Sequence, residues 1–465
     1  MPLFRGGTLV TGSGLSEADL RTAGEKIQEI APRLLPRPGE EVFNISGKLL
    51  LPGVIDAHTH FYLRSRNSVT ADDAFSGSRA AALGGVTTVL DYADQLPGRP
   101  LLDGIHCRRR EFQDAAVDYN FHLVLNDHYR PEQAAEIAQL PIEGVSSVKL
   151  FTTYREAGYM LPKDKWHSIL RACRDASMVV SVHAEDDEII QRETARGKEA
   201  GRTGPRDHPD LRPAQAEVAA VQKLIGLAEK SGCTIYIVHL STGAACRLIR
   251  QARERNCPIM AETAPHYLLL ERSLLEGSEG RLHLMTPPLR ECRDNRILWQ
   301  GVADGVISVI ATDHCAFTPG QKAQGKDALD ILPGIPGVET LLPLIYTQGV
   351  AQGRIELPRL VQILAENPAK IYGLWPRKGR LAPGSDADLV VYNPEPRWQL
   401  DDTKVHSMAG YTSFAGMWIQ GRVELTMLRG QNLAREGKFL GRRGQGQFVP
   451  AGPSMSCNEK GERTE

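Results

Sequence analysis

The chain is predicted to be an α/β protein: a (β/α)8 TIM barrel carrying a small β-sandwich domain built from both termini. Three observations predict it. Eight short apolar runs rich in β-branched residues recur along the chain, separated by helix-length segments. The length, 465 residues, suits one barrel of about 250 residues plus roughly 200 more. The two ends outside the runs hold short strand-like stretches broken by glycine turns.

The apolar runs fall at residues 54–58, 86–92, 119–125, 147–151, 179–184, 235–240, 259–263 and 307–312. Helical periodicity is clearest at 213–230 and 242–255. Near-continuous apolar strands alternating with helices indicate a parallel sheet covered on both faces. A doubly wound open sheet is the rival, but no GxGxxG turn follows the first strand. The barrel is expected over 53–375. Residues 1–52 and 376–430 are expected to pair into the sandwich. From Gln431 the chain is rich in Gly, Arg and Ser, so 431–465 is expected to be an extended arm. Its last 15 residues, roughly, are expected to be disordered.

Composition excludes several function classes. Lys+Arg is 55 against Asp+Glu 56, a net charge of −1, so no broad basic field awaits nucleic acid or an anionic membrane. An aromatic fraction of 6% argues against a stacking platform for single strands. No stretch approaches the roughly 18 apolar residues of a membrane span, and the N-terminus shows no signal-peptide core. The eight cysteines (107, 173, 233, 246, 257, 292, 315, 457) form no CxxC pair, which makes a reducing cytoplasm the default location.

The strand ends carry the chemistry. The first ends in Asp56-Ala57-His58-Thr59-His60, the fourth contains Lys149, the fifth reaches His183, the sixth His239 and the eighth Asp313. In this fold the C-terminal mouth gathers such side chains and holds the active site. A lone strand histidine is more often a satisfied core residue, and a lone Asp313 could cap a helix. His58 and His60, at i and i+2, point to one side of a strand and can chelate one ion. An ammonium such as Lys149 is costly at a barrel mouth unless paired or neutralised. One Zn2+ usually takes three protein ligands plus water. Six candidates suit two ions about 3.5–4 Å apart, with Lys149 as a CO2-derived carbamate that bridges them.

These residues resemble the cyclic amidohydrolases, most closely the hydantoinase/dihydropyrimidinase branch. PGVIDAHTHF, NSVTADDAFSGSRAAALGGVTTVLDY, SVKLFTTY, VHAED, VHLST, ATDHCAF, PGIPGVET and NPAKIYGLWPRKGRLAPGSDADLVVYNP follow in family order and cover nearly the whole chain. The resemblance implies a hydrolase that opens a cyclic amide with two Zn2+ per subunit. His58, His60, carbamylated Lys149 and Asp313 would hold the more buried ion. Lys149, His183 and His239 would hold the other, with a hydroxide between them. Asp313 would be the general acid and base. Tyr154 matches the tyrosine that stabilises the developing oxyanion. Thr286 matches a serine that helps hold the cyclic amide. Pro333, followed by Gly334, stands where hydantoinases have an asparagine whose backbone meets the substrate; proline offers no N–H there. The family is commonly a homotetramer, and the arm resembles its contact segment.

Other departures bear on the substrate. Dihydroorotases place an arginine two residues after the HxH, where this chain has Tyr62. The run ETAPHYL (262–268) looks more like allantoinases and dihydroorotases, so a ureide hydrolase is the alternative. A non-catalytic scaffold is a further alternative, opposed by the complete ligand set. Specificity is expected from loops 61–67, 152–160 and 316–334. Arg64 and Arg66 are either solvated or meet a substrate carboxylate. Cys315 is expected to pack, and His314 to support its neighbour Asp313.

Overall fold

The computed structural model describes residues 2–454; of the end expected to be disordered, 451–454 are held by backbone hydrogen bonds and 455–465 lie outside the described residues. Eight strands run in parallel, in sequence order, around a barrel: Val54–Thr59, Val86–Asp94, Asp118–Val124, Ser147–Phe151, Val179–His183, Ile235–Ile237, Ile259–Thr263 and Val309–Ile310. All eight coincide with the apolar runs. The first and last strands meet through a bridge between Thr59 and His314, with His60 N–H donating to the His314 carbonyl at 2.9 Å. Asp56 tightens that seam. Its carboxylate accepts from the Thr312 N–H at 3.0 Å and the Thr312 hydroxyl at 2.5 Å.

Two strands stop short of their apolar runs, for one reason. His239 has φ +39° and Asp313 φ +50°, both left-handed, so the extended backbone ends before each. The outer helices follow their periodicity. Ala214–Ser231 ends at Gly232 with φ +67°, the conformation a glycine takes without penalty. Gly243–Glu254 starts at Thr242, whose hydroxyl accepts from the Ala245 N–H.

The termini meet in one nine-stranded sheet. Leu389–Gln399 pairs antiparallel with Leu49–Pro52, joining a C-terminal set (Leu389–Gln399, Trp418–Leu428, Gln431–Arg435, Lys438–Phe439) to the N-terminal strands. The hydrogen bonding runs through a single sheet, not two separately paired layers. Its core includes Phe4, Leu20, Leu50, Leu389 and Met427.

The arm differs from expectation. Residues 431–439 are sheet, because Leu433 and Ala434 find buried positions there. Beyond Phe439 the chain crosses the N-terminal end of its own barrel. Val449 N–H donates to the Tyr119 carbonyl at 2.9 Å, and Ala451 N–H to that of Gly144 at 2.9 Å. Val449 and Ala451 pack with Ile55, Leu90 and Val309, closing the barrel floor. Gly446 permits the approach, since a Cβ there would stand 1.9 Å from the Val117 carbonyl oxygen. Among the described residues no helix is long and apolar enough to cross a membrane.

Barrel and sheet are locked by a buried ion cluster. Lys378 Nζ lies 2.6 Å from Asp118, 2.9 Å from Asp386 and 2.7 Å from Asp388. Three converging carboxylates could suggest a cation site, but the ammonium already fills it. Burial pulls the Lys378 amine down, and the three carboxylates more than reverse that, holding it charged. Lys378→Met should leave Asp388 without a cation and remove one from Asp118 and Asp386, at a cost of about 3–5 kcal/mol. A marked fall in thermal midpoint and soluble yield is the expected result.

Candidate metal centre and active site

Six strand-end residues converge at the mouth. His58, His60 and Asp313 present ligand atoms within 4.8 Å of one another. Asp313 Oδ1 lies 3.1 Å from both His58 Nε2 and His60 Nε2. His183 Nδ1 and His239 Nε2 face each other at 3.0 Å, and the His58 and His239 rings are 5.4 Å apart. Lys149 is buried with Nζ 5.0 Å from the Tyr92 ring centre and 5.1 Å from that of Phe151.

The imidazoles are oriented from behind by carboxylates. His58 Nδ1 donates to Glu262 at 2.5 Å, and His183 Nε2 to Glu185 at 2.7 Å. Each carboxylate takes the outer N–H, so His58 Nε2 and His183 Nδ1 are the ring nitrogens turned inward, as in metal-binding histidines. Glu262 also accepts from the Tyr236 hydroxyl at 3.0 Å, and Glu185 from Arg212 at 2.6 Å. Burial would push His58 down, but the charges of Asp313 and Glu262 pull it up to about 9. Asp313 is driven the other way. Burial works to raise it, yet His58, His60 and His239 hold it well below the usual carboxylate range. The site therefore favours positive charge at the point where the inward histidine nitrogens and the Asp313 carboxylate meet. That donor set fits a divalent metal ion.

Tyr154 stands beside this centre, its ring 5.1 Å from that of His183 and covered by the Arg212 guanidinium at 5.1 Å. Burial pushes its hydroxyl up to about 12, so it stays an O–H donor. Tyr154, His239 and Asp313 all have positive φ, at 66°, 39° and 50°. Strain of order 1–3 kcal/mol per residue, gathered at one mouth, marks a functional site.

The remaining expectations are met unevenly. The Gly334 N–H donates to the Leu284 carbonyl at 2.9 Å, so neither Pro333 nor Gly334 offers a free N–H. Arg64 pairs with Glu111 at 2.8 Å, and Arg66 donates to the Asp330 carbonyl at 2.6 Å. The mouth arginine is Arg212 instead. Cys315 is buried against the Pro333 carbonyl, and burial pushes its thiol up. His314 Nδ1 accepts from the Gly337 and Val338 N–H groups, which leaves Nε2–H to donate to Asp72 at 3.1 Å. Glu185, Arg212, Asp72 and Glu262 in its orienting role escaped the sequence reading. The usable signal was a carboxylate at the end of an apolar strand, as in VHAED and IMAET.

A parallel barrel with a histidine, lysine and aspartate mouth defines the amidohydrolase class. The family model described as "Amidohydrolase family" matches residues 49–433. The chain is 36% identical to the D-phenylhydantoinase of Escherichia coli O1:K1 / APEC over 463 residues, 97% of this chain and 98% of that protein. It superposes on the crystal structure of dihydropyrimidinase from Brevibacillus agri NCHU1002 with TM-score 0.95 and 33% identity, covering 98% and 99% of the two chains. D-hydantoinase from a Bacillus sp. AR9 gives TM-score 0.95 and 33% identity over 98% and 100%. The chain belongs to the amidohydrolase family, in its hydantoinase/dihydropyrimidinase branch, and is a cyclic amide hydrolase.

The Asp72–His314 pair yields a pH prediction. Burial works to raise Asp72, but His314, the Met408 N–H and the Ser407 hydroxyl hold it below its ordinary value. A depressed carboxylate contributes stability above its unfolded pKa and loses it as pH falls through the folded one. Asp72→Asn should therefore lower the thermal midpoint most at neutral pH. The gap to wild type should narrow below about pH 4.

Proposed function

We propose that the protein is a binuclear zinc hydrolase that opens a hydantoin or dihydropyrimidine ring at an amide C–N bond. The observation that carries this is the convergence of His58, His60, Lys149, His183, His239 and Asp313 at one mouth, with two histidines oriented by Glu262 and Glu185. The dihydropyrimidinase and hydantoinase relatives support the ring class. His58, His60, Asp313 and a carbamylated Lys149 would hold one ion; Lys149, His183 and His239 would hold the other. Bound there, the ions would supply an acidified water and polarise the ring carbonyl.

The chain's own groups do the rest. Burial pulls Lys149 down to about 7. About half the amine is then neutral at pH 7, against well under a thousandth for an ordinary lysine. A neutral amine adds to CO2, forming an N–C bond and releasing one proton. The resulting carbamate replaces a costly buried ammonium with an anionic ligand. Asp313, an ionised carboxylate, accepts the proton of the attacking water and returns it to the ring nitrogen as the C–N bond breaks. Tyr154 donates its O–H to the oxygen that gains charge. Arg212 holds the Tyr154 ring from behind.

The test is turnover of hydantoin, 5-phenylhydantoin, dihydrouracil, allantoin and dihydroorotate by zinc-loaded protein. Hydantoins or dihydrouracil should be cleaved fastest, with about two metal ions per chain by elemental analysis. Turnover restricted to allantoin or dihydroorotate, or metal well under one per chain, overturns the reading. Tyr154→Phe should lower kcat about 10²–10³-fold with metal content unchanged. Lys149→Ala should lose turnover and recover part of it with added short-chain carboxylic acid.

A further inference from the structure

The five-residue helix Pro319–Ala323 lies in the loop that follows Asp313, and its adjacent polar residues reach different neighbours. Gln321 Nε2 donates to the Ser68 hydroxyl at 2.9 Å and the Val69 carbonyl at 2.7 Å, in the loop after the HxH. Lys322 is fully buried, and its Nζ donates to the carbonyls of Leu284 at 2.9 Å and Arg281 at 3.4 Å. The same Leu284 carbonyl accepts the Gly334 N–H at 2.9 Å. Two residues on stands Thr286, its hydroxyl 3.5 Å from His208 Nε2, which also lies 3.0 Å from the Met285 carbonyl.

Lys322 thus sits where two mouth segments, 281–286 and 333–334, share one acceptor. Backbone carbonyls answer its amine, and burial pulls it down to about 7, with only the Cys315 thiol opposing. An amine buried without a carboxylate is expensive where a methionine would fill the space. A group kept at that cost, tying the segment that leads to Thr286 to the Pro333–Gly334 backbone, is doing more than packing.

We infer that Lys322 is a positioning residue that sets the substrate-facing geometry of Thr286 and of the Pro333–Gly334 backbone through the shared Leu284 carbonyl. It acts on substrate fit and leaves the metal ligands alone. The kinetic part rests on the proposed cyclic-amide hydrolysis; the structural part does not.

The experiment compares zinc-loaded wild type, Lys322→Met and Lys322→Gln by hydrogen exchange, metal analysis and steady-state kinetics. In Lys322→Met, exchange should accelerate in residues 281–286, 318–323 and 331–335, while the strands that carry His58, Lys149 and His183 stay protected. KM for the hydantoin that wild type cleaves best should rise roughly tenfold or more, with kcat within about threefold and metal content unchanged. Lys322→Gln, which keeps an amide donor, should fall between. Wild-type exchange and KM in Lys322→Met overturn the proposal. So does a joint loss of metal, kcat and barrel protection in both variants. Wild type inactive on every ring would sink the proposed hydrolysis, and the exchange comparison would still decide whether Lys322 holds the two segments.

Discussion

The His58 imidazole lies between two buried carboxylates, Glu262 and Asp313, and the rest of the site answers to that charge. Two negative groups inside a barrel mouth are untenable without positive charge near them. Lys149 is attracted by both. His58 is pulled upward by both. His60 and His239 add to the forces that keep Asp313 ionised. A divalent ion suits this environment better than a proton. It accepts several lone pairs at once, whereas a proton serves one nitrogen and leaves the others facing each other.

Holding such a charge set requires a rigid frame, and the barrel supplies it in a specific way. The first and eighth strands carry His58, His60 and Asp313, and they are also where the barrel must close. Asp56 accepts from Thr312 across that seam, and the Thr59–His314 bridge continues it. His314 is then fixed by Gly337, Val338 and Asp72. Closure of the fold and placement of Asp313 are therefore one problem with one set of bonds. The positive φ of Asp313 is tolerable because its two neighbours, Thr312 and His314, are both pinned.

The sequence made the barrel legible because its strands are buried on both faces and so read as unbroken apolar runs. It made the ligands legible because histidine, lysine and aspartate at the ends of such runs have no place in an apolar layer. The supporting groups were hidden by distance along the chain. Glu262 meets His58 across 204 positions and Asp72 meets His314 across 242, and no local pattern encodes such pairs. Arg64 and Arg66 drew notice by composition alone, and they bind the end of helix Leu101–Glu111 and the Asp330 carbonyl. Arg212 follows a short helical turn and gave no periodic signal. The arm looked extended because Gly and Arg dominate its composition. Its few apolar residues, Leu433, Val449 and Ala451, decide where it lies.

Three buried lysines show how environment assigns different work to one side chain. Lys378 is surrounded by three carboxylates, stays charged and serves as a lock between barrel and sheet. Lys322 has carbonyls for partners and is pulled down to about 7, so it can hold backbone oxygens without requiring a counter-ion. Lys149 is also pulled down to about 7, but it faces aromatic rings and two carboxylates. Of the three, only Lys149 lies among the histidines and the aspartate of the barrel mouth. That placement, rather than burial alone, separates Lys149 from the other two.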